Sequence, residues 1–274
     1  METRYVSPGI ESLEYWLPDS VIRNEDLAAE FTDWDPQKAF RATGIRERRF
    51  GAEPASEMAV RAAERLLDAH GTNRDDIDFL ILVTQTGDHQ MPATACIVQN
   101  KLRLPLECGA LDVNLGCSGY IYGLFLAKAL LSSRQCRKIL LLTVEKISHL
   151  HPKDKSTRVL LGEAATATLL SCDNPVAVLG EFDLGTDGSG YSNLIVPAGG
   201  TALPRSSETA RETTDEYGNV RSQDTLYMNG MEIFNFSLRR APKTIEATLR
   251  KNRLTLEDIA LFVPHQANRT ILET

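Results

Sequence analysis

Residues 110–133 read ALDVNLGCSGYIYGLFLAKALLSS, and their order decides the fold. The short apolar run Ala110–Val113 reads as a strand. Asn114, Leu115 and Gly116 lead into Cys117. Ser118–Ser133 then follows as a helix that is apolar around most of its circumference, with Lys128 its only charge. A helix of that kind is normally buried in the middle of a large protein. Strand, glycine-bearing turn and buried helix make one unit of an α/β protein.

The flanking sequence repeats the alternation. Residues 56–70, SEMAVRAAERLLDAH, put Met58, Ala62, Leu66 and Ala69 on one helical face, with Ser56 as N-cap and Gly71 as the stop. Ile77–Thr84 reads as a buried strand and Ala93–Leu102 as a helix. Lys138–Val144 and Ala164–Ser171 are two further strands. Strands alternating with helices imply largely parallel sheets. DDIDFLILVTQ, ending at Gln85, has an echo in LEDIALFVPHQ, ending at Gln266: an Asp-Ile pair, then an apolar strand. A tandem duplication is the economical explanation, with halves at 1–172 and 173–274. Gly199–Asp224 is polar and aperiodic, a long surface excursion. Helical periodicity resumes near Met231, with Ile233, Phe236, Ile245 and Leu249 as candidates for the inward face.

Composition sets the class. The 274 residues are 42% hydrophobic and 24% charged, an ordinary globular balance. A net charge of −7 argues against nucleic acid as a partner. No apolar run is long enough to span a bilayer, and the N-terminal stretch lacks the basic and apolar regions of a secretory signal. A cytoplasmic location is expected. The five cysteines are odd in number and lack metal-ligand spacing, so neither a disulfide framework nor a zinc site is expected. Cys96, Cys108, Cys136 and Cys172 read as buried small hydrophobes.

Cys117 has a different setting. At the start of a helix it faces unpaired backbone N–H groups and the positive end of the macrodipole, both of which favour a thiolate. Gly116 and Gly119 permit a tight turn and a close substrate approach. The arrangement has the logic of a nucleophile elbow with sulfur in place of oxygen. His265, in VPHQAN, falls at the carboxyl end of the apolar run Ile259–Val263, where ligands collect in α/β sheets. His70, His89, His149 and His151 read as helix-end or loop residues. GTDGSG, Gly185–Gly190, reads as a turn and not a phosphate cradle, because Asp187 would repel an anion.

NLGCSGYIYGL and LFVPHQAN resemble the cysteine and histidine segments of the type III β-ketoacyl-acyl carrier protein synthases, of the thiolase superfamily. TGIRERRF (Thr43–Phe50), DKSTRVLLGEAATA (Asp154–Ala167), DGSGYSNLIVP (Asp187–Pro197) and MNGMEIFNF (Met228–Phe236) are similar to further family segments, in family order. The resemblance implies an α/β thiolase fold, a duplicated α-β-α-β-α five-layer sandwich with an incomplete C-terminal half, in a homodimer. It implies an acyltransferase of fatty acid or specialised acyl-chain biosynthesis, needing no cofactor, whose partners are acyl-CoA and acyl carrier protein. Cys117 would hold the acyl group and His265 would hydrogen-bond the enolate of decarboxylated malonyl-acyl carrier protein. Met91 resembles a residue reaching into the partner subunit's acyl pocket, and Leu161, Met228, Gly230 and Phe234 would line or shape that pocket. Lys155, Arg41 and Asn268 would stand at the entrance for CoA or carrier protein.

Two departures bear on these expectations. The family's catalytic asparagine lies beyond the histidine segment and has no counterpart before Thr274; Asn268 is not that residue. A natural protein several dozen residues longer, or a cut chain, is the expectation. At the entrance, the family's adenine-sandwiching Trp and Arg are replaced: Trp34 comes too early, and Lys38 and Ala42 occupy the matching places. Acyl delivery by a carrier protein or an unusual CoA ester thereby becomes an option. A non-decarboxylating acyltransferase and an inactive partner subunit are the alternatives.

Overall fold

The computed structural model describes residues 7–31, 33–147 and 149–274. In chain order its elements begin with strands β1 (Gly9–Trp16) and β2 (Ser20–Arg23), helices α1 (Asn24–Glu30) and α2 (Pro36–Thr43), strand β3 (Glu47–Phe50) and helix α3 (Ala55–His70). Next come β4 (Phe79–Val83), α4 (Thr94–Leu102), β5 (Gly109–Val113), α5 (Gly119–Ser132) and β6 (Lys138–Glu145). They are followed by α6 (Lys155–Arg158), β7 (Ala164–Ser171), β8 (Ala177–Val178) and β9 (Leu194–Ile195). The chain ends with β10 (Thr213–Thr214), β11 (Val220–Arg221), β12 (Tyr227–Met228), α7 (Gly230–Asn252) and α8 (Arg269–Glu273). Two compact units result. One holds the described part of Met1–Ser20 with Arg49–Lys146 and Glu163–Gly180; the other holds Val21–Arg48, Ile147–Gly162 and Glu181–Thr274.

The first unit is built on a six-stranded sheet of order β5-β4-β6-β7-β1-β8. Strand β4 runs parallel to β5 and β6, whereas β6, β7, β1 and β8 pair antiparallel. The expectation of largely parallel sheets is therefore corrected to a mixed sheet. A parallel neighbour requires a crossover, and the helices α4 and α5 provide it between β4, β5 and β6. Strand β1, which the reading of the sequence passed over, completes the antiparallel side. Its register against β7 shifts between Ile10 and Ser12, so alternation fails there: Ser12 is buried while Leu13 and Tyr15 face outward.

Alternation holds in the central strands and sorts their side chains onto two faces. Leu80, Leu82, Leu140 and Leu142 pack with Met58, Ala62, Leu66 and Leu67 of α3 and Val98 and Leu102 of α4 in one core. The other face, with Val83 and Leu141, receives α5 through Gly119 and Gly123. Gly123 is needed there because a Cβ would lie 2.6 Å from Leu141 Cδ1. Helix α5 buries Leu124, Ala127 and Leu131 but leaves Ile121 and Phe125 exposed, so it is not enclosed on all sides in this chain. Gly71 ends α3 in the left-handed conformation, at φ 59°. Ser56 is not its N-cap: Pro54 holds that position, and the Ser56 N–H donates to Asp88 Oδ1 at 2.9 Å.

In the second unit α7 is the longest element, capped by Asn229, whose side chain accepts from the Glu232 N–H. Of its expected inward residues, Ile233, Ile245 and Leu249 are partly buried and Phe236 is exposed. Ile259–Val263 is not a strand. It has no laddered neighbour among the described residues, and Leu261, Phe262 and Val263 are exposed. A strand exists only through a partner's hydrogen bonds, which hydrophobicity alone does not supply. Gly199–Asp224 is less featureless than its composition: β10 and β11 pair within it, and Thr209 and Asn219 are buried.

Leu140 is fully buried in the first unit's core. Leu140→Ala should lower unfolding free energy by about 2–5 kcal/mol, read from the urea midpoint at unchanged slope.

Candidate active site

The parallel strands β4, β5 and β6 bring their carboxyl ends to one edge of the first sheet, and Cys117 follows the end of β5 there. The Leu115 N–H donates to the Val113 carbonyl at 2.9 Å and the Gly119 N–H to the Gly116 carbonyl at 2.8 Å, so two tight turns bracket the cysteine. Ser118 is the N-cap of α5 but gives no side-chain cap, and Cys117 precedes it, exposed. The glycines act by close approach, since neither has a positive φ. A Cβ on Gly119 would collide with Val83 Cγ1, and one on Gly116 would lie 2.6 Å from Gln85 Oε1. Of the other cysteines only Cys108 is buried, where burial raises its thiol to about 11; Cys96 is exposed, and Cys136 and Cys172 are partly buried. The buried reading holds for Cys108 and is corrected for Cys96, Cys136 and Cys172, which lie at or near the ends of elements.

Glu145, at the carboxyl end of β6, was not singled out from the sequence, where it is only the polar end of an apolar run. Its carboxylate accepts from the Gln85 N–H at 2.8 Å and from the Thr86 hydroxyl at 2.6 Å. Burial raises its pKa above the ordinary carboxylate value, and these hydrogen bonds oppose the rise. Met91, in the same unit, is 82% exposed. Helix α4, which follows it, is held at its N-terminus by Asp112, whose oxygens accept the Thr94 and Ala95 N–H groups at 2.7 Å each.

The second unit carries the remaining residues. His265 is exposed on the segment before α8. Asn268 caps that helix by accepting from the Ile271 N–H at 2.9 Å. Helix α8 lies against α2, which carries Arg41 exposed: the Thr270 hydroxyl donates to the Ala42 carbonyl at 3.0 Å, and the Arg269 guanidinium sits 5.0 Å from the Phe40 ring centroid. Lys155 pairs with Asp33 at 2.6 Å, and that hydrogen bond holds the Asp33 carboxyl below its usual range. Trp34 donates its indole N–H to the Asn24 carbonyl at 3.1 Å. Leu161 and Phe234 are partly buried.

Met228 and Gly230 line one cavity of about 640 Å³ with Ser156, Asp215, Tyr217 and Arg221. Arg221 organises its wall. It grips buried Asp154 in a two-pronged contact at 2.8 and 3.1 Å, and reaches Asp215 at 2.9 Å and Ser156 Oγ at 3.0 Å. Burial opposes the charge of Arg221, but the Asp154 and Asp215 contacts outweigh it and raise its pKa. Asp154 also accepts from the Ser156 N–H at the start of α6. This network was not read from the sequence, because Arg221 lies 67 residues from Asp154 and 65 from Ser156.

The family model for 3-oxoacyl-[acyl-carrier-protein] synthase III matches residues 111–188. A β-ketoacyl-[acyl-carrier-protein] synthase III of Caldanaerobacter subterraneus subsp. tengcongensis is 34% identical over 98% of this chain and 78% of its own length. The chain belongs to the β-ketoacyl-acyl carrier protein synthase III family. The synthase III of Natranaerobius thermophilus is 37% identical over 94% of this chain and 77% of its own length. Among solved structures, one synthase III superposes with a TM-score of 0.94 at 44% identity, covering 97% of this chain and 80% of that one. A Burkholderia xenovorans synthase gives 0.86 at 34% identity, covering 98% and 76%. The fold is the thiolase fold of these enzymes.

Two outcomes follow for the stability of the chain. Gly119→Ala should cost about 1–3 kcal/mol in urea unfolding, because Val83 cannot move without disturbing β4. Asp215 has its pKa lowered below 3.8: burial pushes it up, but hydrogen bonds from Asn219, Tyr217 and Arg221 outweigh that. Its contribution is present above pH 3.8 and lost as pH falls through the lower folded value. Asp215→Asn should therefore destabilise at pH 7 and cost less at pH 3, by urea midpoints at both.

Proposed function

We propose that Cys117 and His265 carry the synthase III reaction in this chain. That reaction is a condensation that joins an acyl thioester to malonyl-acyl carrier protein in fatty acid biosynthesis. The Cys117 thiolate attacks the thioester carbonyl, the tetrahedral adduct collapses, and the donor leaves as a thiolate that takes up one proton from water. Malonyl-acyl carrier protein then loses CO₂, and His265 donates a hydrogen bond to the enolate oxygen that forms. The enolate carbon attacks the acyl-cysteine carbonyl, a carbon–carbon bond forms, and the Cys117 thiolate is released with β-ketoacyl-acyl carrier protein. Atoms and charge balance without a redox group or cofactor.

The observation that carries this reading is the position of Cys117: exposed, between two turns, at the start of α5 and at the carboxyl edge of parallel strands. A helix start stabilises a thiolate and the anion of a tetrahedral adduct alike, and the Cys117 backbone N–H is one donor to that adduct. Met91, Leu161, Met228, Gly230 and Phe234 are assigned to the acyl pocket; the cavity shared by Met228 and Gly230 supports two of them. Arg41, Lys155 and Asn268 are assigned to the entrance. The Lys155–Asp33 pair makes Lys155 a neutralised phosphate contact, which favours a carrier protein or modified CoA ester as donor.

The protein acts as a homodimer in the cytoplasm in this reading; no helix among the described residues is long and apolar enough to cross a membrane. Halves at 1–172 and 173–274 arise by duplication. Support comes from the matching short helical turns Arg74–Asp76 and Leu256–Asp258, which end at Ile77 and Ile259 with similar backbone angles.

His265→Ala should keep acyl transfer onto the protein while slowing release of CO₂ from malonyl-acyl carrier protein about 100-fold or more. Wild-type decarboxylation in that variant would contradict the assigned role of His265. Acyl transfer to a second acceptor with no CO₂ released by the wild type would favour the non-decarboxylating alternative.

A further inference from the structure

The condensation as written makes no use of Glu145, yet its surroundings are specific. The carboxylate accepts two hydrogen bonds from consecutive residues, the Gln85 N–H at 2.8 Å and the Thr86 hydroxyl at 2.6 Å. Thr86 Oγ1 in turn accepts the Lys146 N–H at 2.8 Å, and the Thr86 N–H donates to Thr84 Oγ1 at 3.1 Å. The Thr86 hydroxyl proton is thereby directed to Glu145, which must accept it. The side chain of Gln85 lies against Gly116: a Cβ there would sit 2.6 Å from Gln85 Oε1. Gly116 immediately precedes Cys117. A chain of contacts thus runs from the end of β6, through the end of β4, to the turn that presents the thiol. A half-buried carboxylate is costly where a strand could end without one, and burial does raise its pKa.

We propose that Glu145 is a positioning residue for the nucleophile: it fixes Gln85 and Thr86, and Gln85 holds the Gly116–Cys117 turn in place for acyl transfer. This rests on the reading of Cys117 as nucleophile. It predicts an effect on the rate constant of loading and not on donor binding, because the residues that bind the donor are elsewhere.

The test compares wild type, Glu145→Ala, Glu145→Gln, Thr86→Val and the double variant Glu145→Ala/Thr86→Val. Loading of Cys117 from acetyl-carrier protein and from acetyl-CoA is timed by intact mass, and alkylation of Cys117 by iodoacetamide is timed by peptide mass. Glu145→Ala should load about tenfold more slowly or worse, with KM within about twofold, and its alkylation rate should also change. Glu145→Gln keeps an acceptor for Gln85 and a partner for Thr86 and should return loading to within about threefold of wild type. Thr86→Val should slow loading, and the double variant should be no slower than Glu145→Ala, since both act through one connection. Folded Glu145→Ala with wild-type loading and alkylation would overturn the proposal, as would Glu145→Gln as slow as Glu145→Ala, or multiplicative effects in the double variant. If Glu145→Ala does not fold, Glu145→Gln and Thr86→Val decide. If the wild type takes no acyl group, the nucleophile reading fails, while the alkylation rates still decide whether Glu145 positions Cys117.

Discussion

The first turn of α5 lies directly on β4, with no room for a Cβ between Gly119 and Val83, and the exposed Cys117 depends on that contact. Helix and sheet can approach this closely only where a side chain is absent. The approach brings the start of the helix to the carboxyl edge of β4, β5 and β6, where two short turns have space to present a thiol. Gly123 continues the close contact one turn further, against Leu141. Apolar packing thus sets the position of a polar reaction centre, and the rest of the sheet makes that packing rigid.

Each unit then contains one buried ionic arrangement that ties distant segments together. In the first unit the nearly buried Glu163 accepts from Lys146 at 3.0 Å and from the Gly51 N–H at 2.8 Å, while Lys146 also reaches the Gly51 carbonyl. In the second, Arg221 joins Asp154 to Asp215. Such pairs add little net stability over apolar residues of the same volume, but breaking one leaves a charge without compensation. Their effect here is geometric. Lys146 adjoins Glu145 at the end of β6, and Arg221 shapes the wall of the cavity that holds Met228 and Gly230.

Much of this was legible in the sequence, for reasons that differ between elements. Helices α3, α4 and α5 and strands β4 to β7 lay within a residue or two of their expected bounds, because long apolar periodicities and terminal glycines are local signals. Family membership was legible from six short segments in order. Strand β1 was not, because a register shift at Glu11 breaks its alternation. The antiparallel pairing of β6 with β7 escaped notice although both strands were legible, because strand direction belongs to the pair and not to either segment. Ile259–Val263 looked like β4 in composition, but pairing is a property of neighbours and not of the segment. Glu145 was invisible because Thr86 and Gln85 are 59 and 60 residues away in the chain, and the grip of Arg221 on Asp154 was invisible because those two are 67 residues apart.

The central claim is that one cysteine of five carries the acyl group. Incubating the protein with acetyl-carrier protein and, separately, with acetyl-CoA, digesting it at low pH and mapping the added acetyl mass by peptide sequencing tests it directly. The account predicts one acetyl group, on the peptide containing Cys117, and none in Cys117→Ala. An acetyl group on Cys96, Cys108, Cys136 or Cys172 instead, or retained in Cys117→Ala, would contradict it.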